Sequence, residues 1–151
     1  MLLDVQALVD RMADDHTAMG RRVAVAGQAS PLHVRAVALR RCLDHRVGIA
    51  IRHGGSAEIT LRDAADALTI EVRDHGPGLP SGELERVMEP FYRVEASRNR
   101  QSGGAVLGLT IASDITRHHG GQLVLRNAEG GGLAATAVFP HPHPHLQPQR
   151  V

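Results

Sequence analysis

The chain has 151 residues, 42% of them hydrophobic, which suits one globular domain with a sizeable core. A formal net charge of +1 gives no electrostatic reason to expect a nucleic-acid partner, and aromatic residues, at 2%, are too few for a base-stacking platform. The single cysteine, Cys42, excludes an internal disulfide framework and fits a reducing compartment. No segment reaches the roughly 18 apolar residues of a membrane span, so we expect no direct membrane contact.

Apolar residues at helical spacing predict three helices. The first covers residues 4–18. The second is expected to begin near Pro31, with Ser30 as its N-cap, and to continue to residue 54. The third covers about residues 105–119 and ends at a pair of glycines.

Alternation of apolar and polar residues predicts the strands. A short strand is expected at residues 21–27. Segments 57–63 and 67–74 predict one antiparallel hairpin, and segments 122–127 and 133–139 predict another around a glycine-rich turn. Strands paired mainly as hairpins beside helices indicate an α+β fold. We expect a layer of about three helices on one face of a mixed, mostly antiparallel sheet.

The end of the chain, residues 141–151, is rich in histidine and proline and predicts a disordered tail after a domain of residues 1–140. His141, His143 and His145 could also hold a metal weakly, although the disordered tail is the preferred interpretation.

The most informative segment, EVRDHGPGLP at residues 71–80, joins a strand to a glycine-rich loop. Asp74 ends the strand, where its carboxylate can accept a hydrogen bond from an exocyclic amine such as that of adenine. Gly76 and Gly78 allow a sharp turn and a close approach of the backbone to a ligand. An ordinary Asp-Gly turn would have the same spacing, and the motifs that follow decide against it.

Those motifs are EPFYR at residues 89–93, GGAVLGL at residues 103–109 and HHGG at residues 118–121. Together with DHGPGLP at residues 74–80, they resemble the catalytic ATP-binding domain of bacterial sensor histidine kinases, in the superfamily shared with gyrase and MutL. The resemblance covers about residues 3–140. It implies a two-layer α/β sandwich, the Bergerat-type ATP-binding fold, with ATP or ADP between the helices and a lid.

The resemblance also implies the nucleotide contacts, with Asp74 on the adenine amine and a lid at residues 93–104 whose arginines meet phosphates. For the lid arginines and for Arg52, a solvated surface position is the alternative, and for Thr136 the alternative is packing within the sheet. The implied nucleotide-binding positions are Asp74, Gly76, Gly78, Arg52, His53, Arg93, Arg98, Gly104, Leu107, Gly108, Leu109 and Thr136.

One departure from the family pattern lies on the second helix. Relatives carry two asparagines four residues apart, and these positions are His45 and Ile49 here. With Arg52 they share one helix face. Mg²⁺ requires oxygen ligands in near-octahedral geometry; isoleucine has none and imidazole is a poor substitute. The family implies Mg²⁺, but we predict no metal ligand and assign no catalytic residue at these positions.

A second departure lies in GGAVLGL, where Ala105 and Val106 replace the usual threonine and glycine. Val106 is β-branched and disfavours positive φ, although backbone amides at a helix start can still attract an anion. Both departures affect the phosphate and metal end of the implied site, whereas the adenine end matches the family.

The chain lacks the phosphoacceptor context of the family, His-Glu followed by Arg-Thr-Pro. The resemblance therefore implies transfer of the γ-phosphate of ATP to a histidine on a separate dimerisation domain, with a response regulator downstream and a cytoplasmic location. A second hypothesis is a catalytically inactive nucleotide-binding or interaction module of the same fold. A third, an anti-sigma-type serine kinase, is disfavoured because EPFYR and the lid follow the sensor-kinase pattern. We predict the family with impaired handling of phosphate and Mg²⁺.

Overall fold

The computed structural model describes residues 2–76, 112–128 and 130–141. Its elements, in chain order, are β1 (Leu2–Leu3), α1 (Val5–Ala18), β2 (Arg22–Gly27), β3 (Leu32–His33), α2 (Ala36–Gly54), β4 (Ser56–Asp63), β5 (Ala67–Asp74), α3 (helical over residues 112–118), β6 (Gln122–Asn127) and β7 (Leu133–Pro140).

Five strands form one sheet in the order β2-β4-β5-β7-β6, with β5 at its centre. The pair β2–β4 is parallel, and the pairs β4–β5, β5–β7 and β6–β7 are antiparallel. Both predicted hairpins are confirmed. So is the predicted fold class, because the sheet is mixed, mostly antiparallel and packed against helices.

The core lies between the helices and one face of the sheet. Along β5 every second residue is buried, from Leu68 to Asp74, so that one face of the strand is apolar up to its last residue. Val9 of α1 and Val47 of α2 are fully buried in the same cluster as Ile70. The helices thus bury one face of the sheet and leave the other face partly exposed, as a two-layer sandwich requires.

The second helix begins later than predicted. It starts at Ala36, because the preceding residues form β3, which pairs antiparallel with β1. Ser30 does not cap the helix, and its backbone N–H instead donates to Asp63 Oδ2 at 2.5 Å. The cause is tertiary: Leu32 and Val34 are both buried in the core, and Leu32 pairs with Leu3 of β1. Core packing outweighs the local helix-start signal.

The ends of the helices follow the sequence prediction. Asp4 caps α1 by accepting a hydrogen bond from the Ala7 N–H at 3.0 Å. Gly55 ends α2 with a φ of 82°, in the left-handed region where glycine is favoured. Within the described ranges, no helix combines the length and the apolar character needed to cross a bilayer.

Candidate functional site

Asp74 lies at the end of the central strand, on the buried face of the sheet, and is only 5% exposed. Its Oδ1 accepts hydrogen bonds from the backbone N–H of Gly76 at 3.0 Å and of Leu133 at 2.9 Å. These two bonds hold the carboxylate in one orientation. No described residue bonds to Oδ2, so this oxygen keeps its capacity to accept a hydrogen bond.

The turn between β6 and β7 packs directly on Asp74. Gly132 has a φ of +94°, and a Cβ on it would lie 2.0 Å from the carbonyl oxygen of Asp74 and 3.1 Å from Oδ1. Glycine is therefore required at 132 by conformation and by space. Gly132 is not among the site residues predicted from the sequence. The run of three glycines in this turn was the signal that could have identified it.

The end of α2 meets the first glycine loop backbone to backbone. A Cβ on Gly76 would lie 2.9 Å from the carbonyl oxygen of His53, and a Cβ on Gly54 would lie 2.6 Å from the amide nitrogen of His75. Gly76 therefore permits close packing against α2 in addition to the ligand approach predicted for it. His75 also forms a hydrogen bond with Glu58, which ties the start of this loop to β4.

The face of α2 proposed to meet phosphate and metal is divided by burial. Ile49 is buried, at 6% exposed, whereas His45, Arg52 and His53 are exposed. The buried side chain is a hydrocarbon and offers no ligand to a cation. Within the described ranges, no three His, Cys, Asp or Glu side chains form a group that could hold a metal ion.

Arg46 is a residue of this region that the sequence analysis missed. It is 2% exposed, and its Nε, Nη1 and Nη2 atoms have no hydrogen-bond partner in the described part of the chain. Burial lowers the pKa of Arg46, and the nearby carboxylate of Asp74 partly opposes this effect. The available signal was its place between Cys42 and Ala50, at four-residue spacing on an otherwise apolar helix face.

Cys42, one turn before Arg46, is buried and free. Burial raises the pKa of its thiol to about 11, although the positive charge of Arg46 acts in the opposite direction. The thiol is therefore protonated at neutral pH and is not a reactive nucleophile.

Thr136 lies on the opposite face of the sheet from Asp74. It pairs with Glu71 across β5 and β7, and its hydroxyl donates to Glu71 Oε2 at 3.4 Å. Arg126 donates to the same carboxylate oxygen at 3.0 Å. This contact is the packing within the sheet that the sequence analysis kept as the alternative for Thr136.

His119, at the end of α3, has both ring nitrogens in hydrogen bonds. Nδ1 bonds to the carbonyl oxygen of Ile115 at 2.9 Å, and Nε2 accepts from the backbone N–H of Arg35 at 3.3 Å. The ring thus connects α3 to the residue that precedes α2.

His141, the first residue of the predicted tail, bonds through Nε2 to Asp63 Oδ1 at 2.7 Å. The other tail residues lie outside the described residues. So do the remaining predicted site positions and the two departures beside them, which therefore stay predictions: Gly78, Arg93, Arg98, Gly104, Ala105, Val106, Leu107, Gly108 and Leu109.

The chain matches a known protein family and several known proteins. The family of histidine kinase-, DNA gyrase B- and HSP90-like ATPases matches residues 34–143. The sensor histidine kinase GtrS of Pseudomonas aeruginosa is 33% identical over 138 residues, which are 91% of this chain and 28% of GtrS. The sensor protein IrlS of Burkholderia pseudomallei is 38% identical over 128 residues, which are 79% of this chain and 27% of IrlS.

A solved structure has the same fold. The ATP-binding domain of PrrB from Mycobacterium tuberculosis aligns with a TM-score of 0.74 and 24% identity, over 94% of this chain and 97% of that one. The chain thus corresponds to nearly all of a separately solved domain, but it spans less than a third of GtrS and IrlS.

Proposed function

The chain belongs to the family of histidine kinase-, DNA gyrase B- and HSP90-like ATPases, and we propose that it is the catalytic ATP-binding domain of a bacterial sensor histidine kinase. In that role it transfers the γ-phosphate of ATP to a histidine on a separate dimerisation domain, in the cytoplasm, with a response regulator downstream. The relatives GtrS and IrlS, described as a sensor histidine kinase and a sensor protein, support this assignment.

The proposal rests mainly on the burial and the hydrogen bonding of the Asp74 carboxylate. Burial of a carboxylate is strongly unfavourable unless hydrogen bonds compensate it. Two backbone N–H groups satisfy Oδ1, while Oδ2 keeps its capacity for a donor. An exocyclic amine of a purine is a donor of the required kind, and it would complete the shell of this carboxylate.

At the phosphate end we propose that Mg²⁺ handling is impaired. Ile49 occupies the position of an asparagine in the family pattern and is buried as an apolar residue. His45 is exposed, and imidazole is a poor ligand for Mg²⁺. The residues present do not fit the metal, so we assign no step to it.

Isothermal titration with ATP, in excess Mg²⁺ and in EDTA, tests both parts. The wild type should bind ATP with affinities that differ less than about threefold between the two conditions, since neither His45 nor Ile49 supplies an oxygen ligand for Mg²⁺. The double variant His45→Asn, Ile49→Asn restores two amide oxygens and should bind at least about tenfold more tightly in Mg²⁺ than in EDTA. The matched control is Val37→Asn, at an exposed position of the same helix.

The possible results separate the two claims. A wild type that binds no ATP under either condition would refute the ATP-binding assignment. Binding that already depends strongly on Mg²⁺ in the wild type, with phosphotransfer to an added dimerisation domain, would refute only the impairment.

A second function is favoured by Ile49 itself. A domain of this fold that binds nucleotide without Mg²⁺ would act as a regulatory or interaction module and not as a kinase. Incubation with radiolabelled ATP and an added dimerisation domain distinguishes the two functions. Label on the acceptor histidine supports the kinase, whereas retained binding without transfer supports the module.

A further inference from the structure

Arg46 places a positive charge inside the domain, and the described residues leave that charge without a hydrogen bond. All three guanidinium nitrogens are buried and without partners, although the group carries five N–H donors. A buried charge without partners strongly destabilises a fold. His16, another buried titratable residue, instead bonds through both ring nitrogens, to Asp44 and Arg21. We therefore expect Arg46 to have a function that compensates for the cost of its buried charge in stability.

The position of Arg46 indicates where that function lies. It lies on α2 three residues before Ile49, and α2 packs on β5, whose last residue, Asp74, is also buried. No hydrogen bond joins the two side chains. A carboxylate that can accept and a guanidinium that can donate thus lie near each other at the base end of the proposed nucleotide site. A group placed between them would satisfy both.

Arg46 and Asp74 together determine which ligand groups can bind between them. A ligand must present a donor to Asp74 and, close beside it, an acceptor to Arg46. Adenine does so, because its exocyclic N6 amine is a donor and its neighbouring ring nitrogens are acceptors. Guanine carries the acceptor O6 in place of that amine, which would direct a carbonyl oxygen at the carboxylate of Asp74.

We propose that Arg46 is a base-binding residue of this domain, which donates a hydrogen bond to a ring nitrogen of adenine while Asp74 accepts from the N6 amine. The inference rests on the proposed function and extends it. The guanidinium, which makes no hydrogen bond within the described ranges, would gain an acceptor when the base binds. It acts at the base, so its contribution does not require Mg²⁺ or phosphate.

Arg46→Leu is the central variant, because leucine is apolar and fits a helix interior. Arg46→Met, with a more adaptable side chain, is a second variant if the first does not fold. Arg41→Leu, at an exposed position of the same helix, is the matched control for loss of one positive charge. Adenosine, ATP and GTP are titrated into each protein in EDTA by calorimetry, and the melting temperature is measured without ligand.

We expect Arg46→Leu to weaken adenosine and ATP binding by the same factor, at least tenfold, and to reduce the preference for ATP over GTP. The melting temperature of the unliganded protein should rise, because the variant removes a buried charge without partners. A residue with only a structural role would lower the melting temperature when it is replaced. Arg41→Leu should leave the affinities and the melting temperature unchanged.

Other results would overturn the inference. Unchanged adenosine and ATP affinities in Arg46→Leu refute the role of Arg46 and leave the proposed function intact. If Arg46→Leu weakens the binding of ATP but not of adenosine, Arg46 contacts the phosphates, and its assignment to the base is refuted. A wild type that binds neither adenosine nor ATP refutes both this inference and the proposed function.

Discussion

On the side of α2 that meets α1, Asp44 bonds to His16 Nε2 at 2.8 Å and to Arg40 Nε at 2.7 Å. Arg21 donates to the other ring nitrogen of His16 at 2.9 Å, and Arg40 also reaches Asp15 at 2.9 Å. We call these residues the α1–α2 polar cluster: Asp15, His16, Arg21, Arg40 and Asp44. Each of their side chains has an oppositely charged or hydrogen-bonding neighbour. The cluster contributes to stability because its charged hydrogen bonds are made within the protein itself.

Two residues further along the same helix, Arg46 faces the interior with no hydrogen-bonding neighbour among the described residues. The charged side chains on the two sides of α2 thus have different roles. The α1–α2 polar cluster holds two helices together, whereas the buried charge at Arg46 makes no hydrogen bond among the described residues and is assigned to ligand binding in our proposal. Stability and binding are therefore served by opposite sides of one helix, and this difference can be tested by substitution.

The largest effect is expected at Asp44. Asp44→Ala should lower the free energy of unfolding by about 2 kcal/mol, because the buried His16 and the neighbouring Arg40 both lose a bonding partner. Urea unfolding measures the change, and Asp14→Ala, at an exposed position of α1, is the control. Since Arg46→Leu should raise stability, the two variants are expected to have opposite signs. An Asp44→Ala variant as stable as the wild type would contradict the contrast between the two sides of α2.

A smaller effect is expected at Asp74. Asp74→Asn keeps an oxygen for the N–H groups of Gly76 and Leu133 but removes the charge that acts on Arg46. The unliganded domain should lose about 1 kcal/mol, and the loss should largely disappear when Asp74→Asn is combined with Arg46→Leu. The double-mutant cycle, followed by urea unfolding, measures this coupling. Strictly additive changes would show that the two side chains do not interact.

The smallest effect is expected at Asp63, which lies at the end of β4, away from α2. Burial acts to raise the pKa of Asp63, but hydrogen bonds from Ser30 and His141 hold it below its ordinary value. A lowered pKa in the folded state adds stability above the ordinary pKa, and this contribution is lost as the pH falls through the folded-state pKa.

Asp63→Asn should therefore be less stable than the wild type at pH 7, by less than about 1 kcal/mol, and the difference should vanish under acid conditions. Thermal unfolding between pH 2 and pH 7 measures it. His141→Ala tests whether the first residue of the tail contributes. A difference that stays constant with pH would assign the effect to packing and not to charge.

Most of the elements could be predicted from local pattern. The stripe in α1 and the alternation in β5 are each repeated over several turns or residues, so that one misleading position does not change the result. The candidate Asp74 could be predicted because a strand end followed by Gly-x-Gly is itself a local pattern. The start of α2 could not be predicted in this way, because Ser30 and Pro31 form a valid helix-start signal that distant contacts override.

By itself, the sequence determined the periodic elements, the α+β class and the family, because each is written in residues close together in the chain or in the order of motifs. Only the tertiary structure decided that Leu32 and Val34 extend into the core, that Thr136 lies on the face away from Asp74, and that Arg46 is buried beside that carboxylate. These features depend on which distant segments share one interior. Burial then sets the energy of each polar group, and that energy is not a property of any short stretch of sequence.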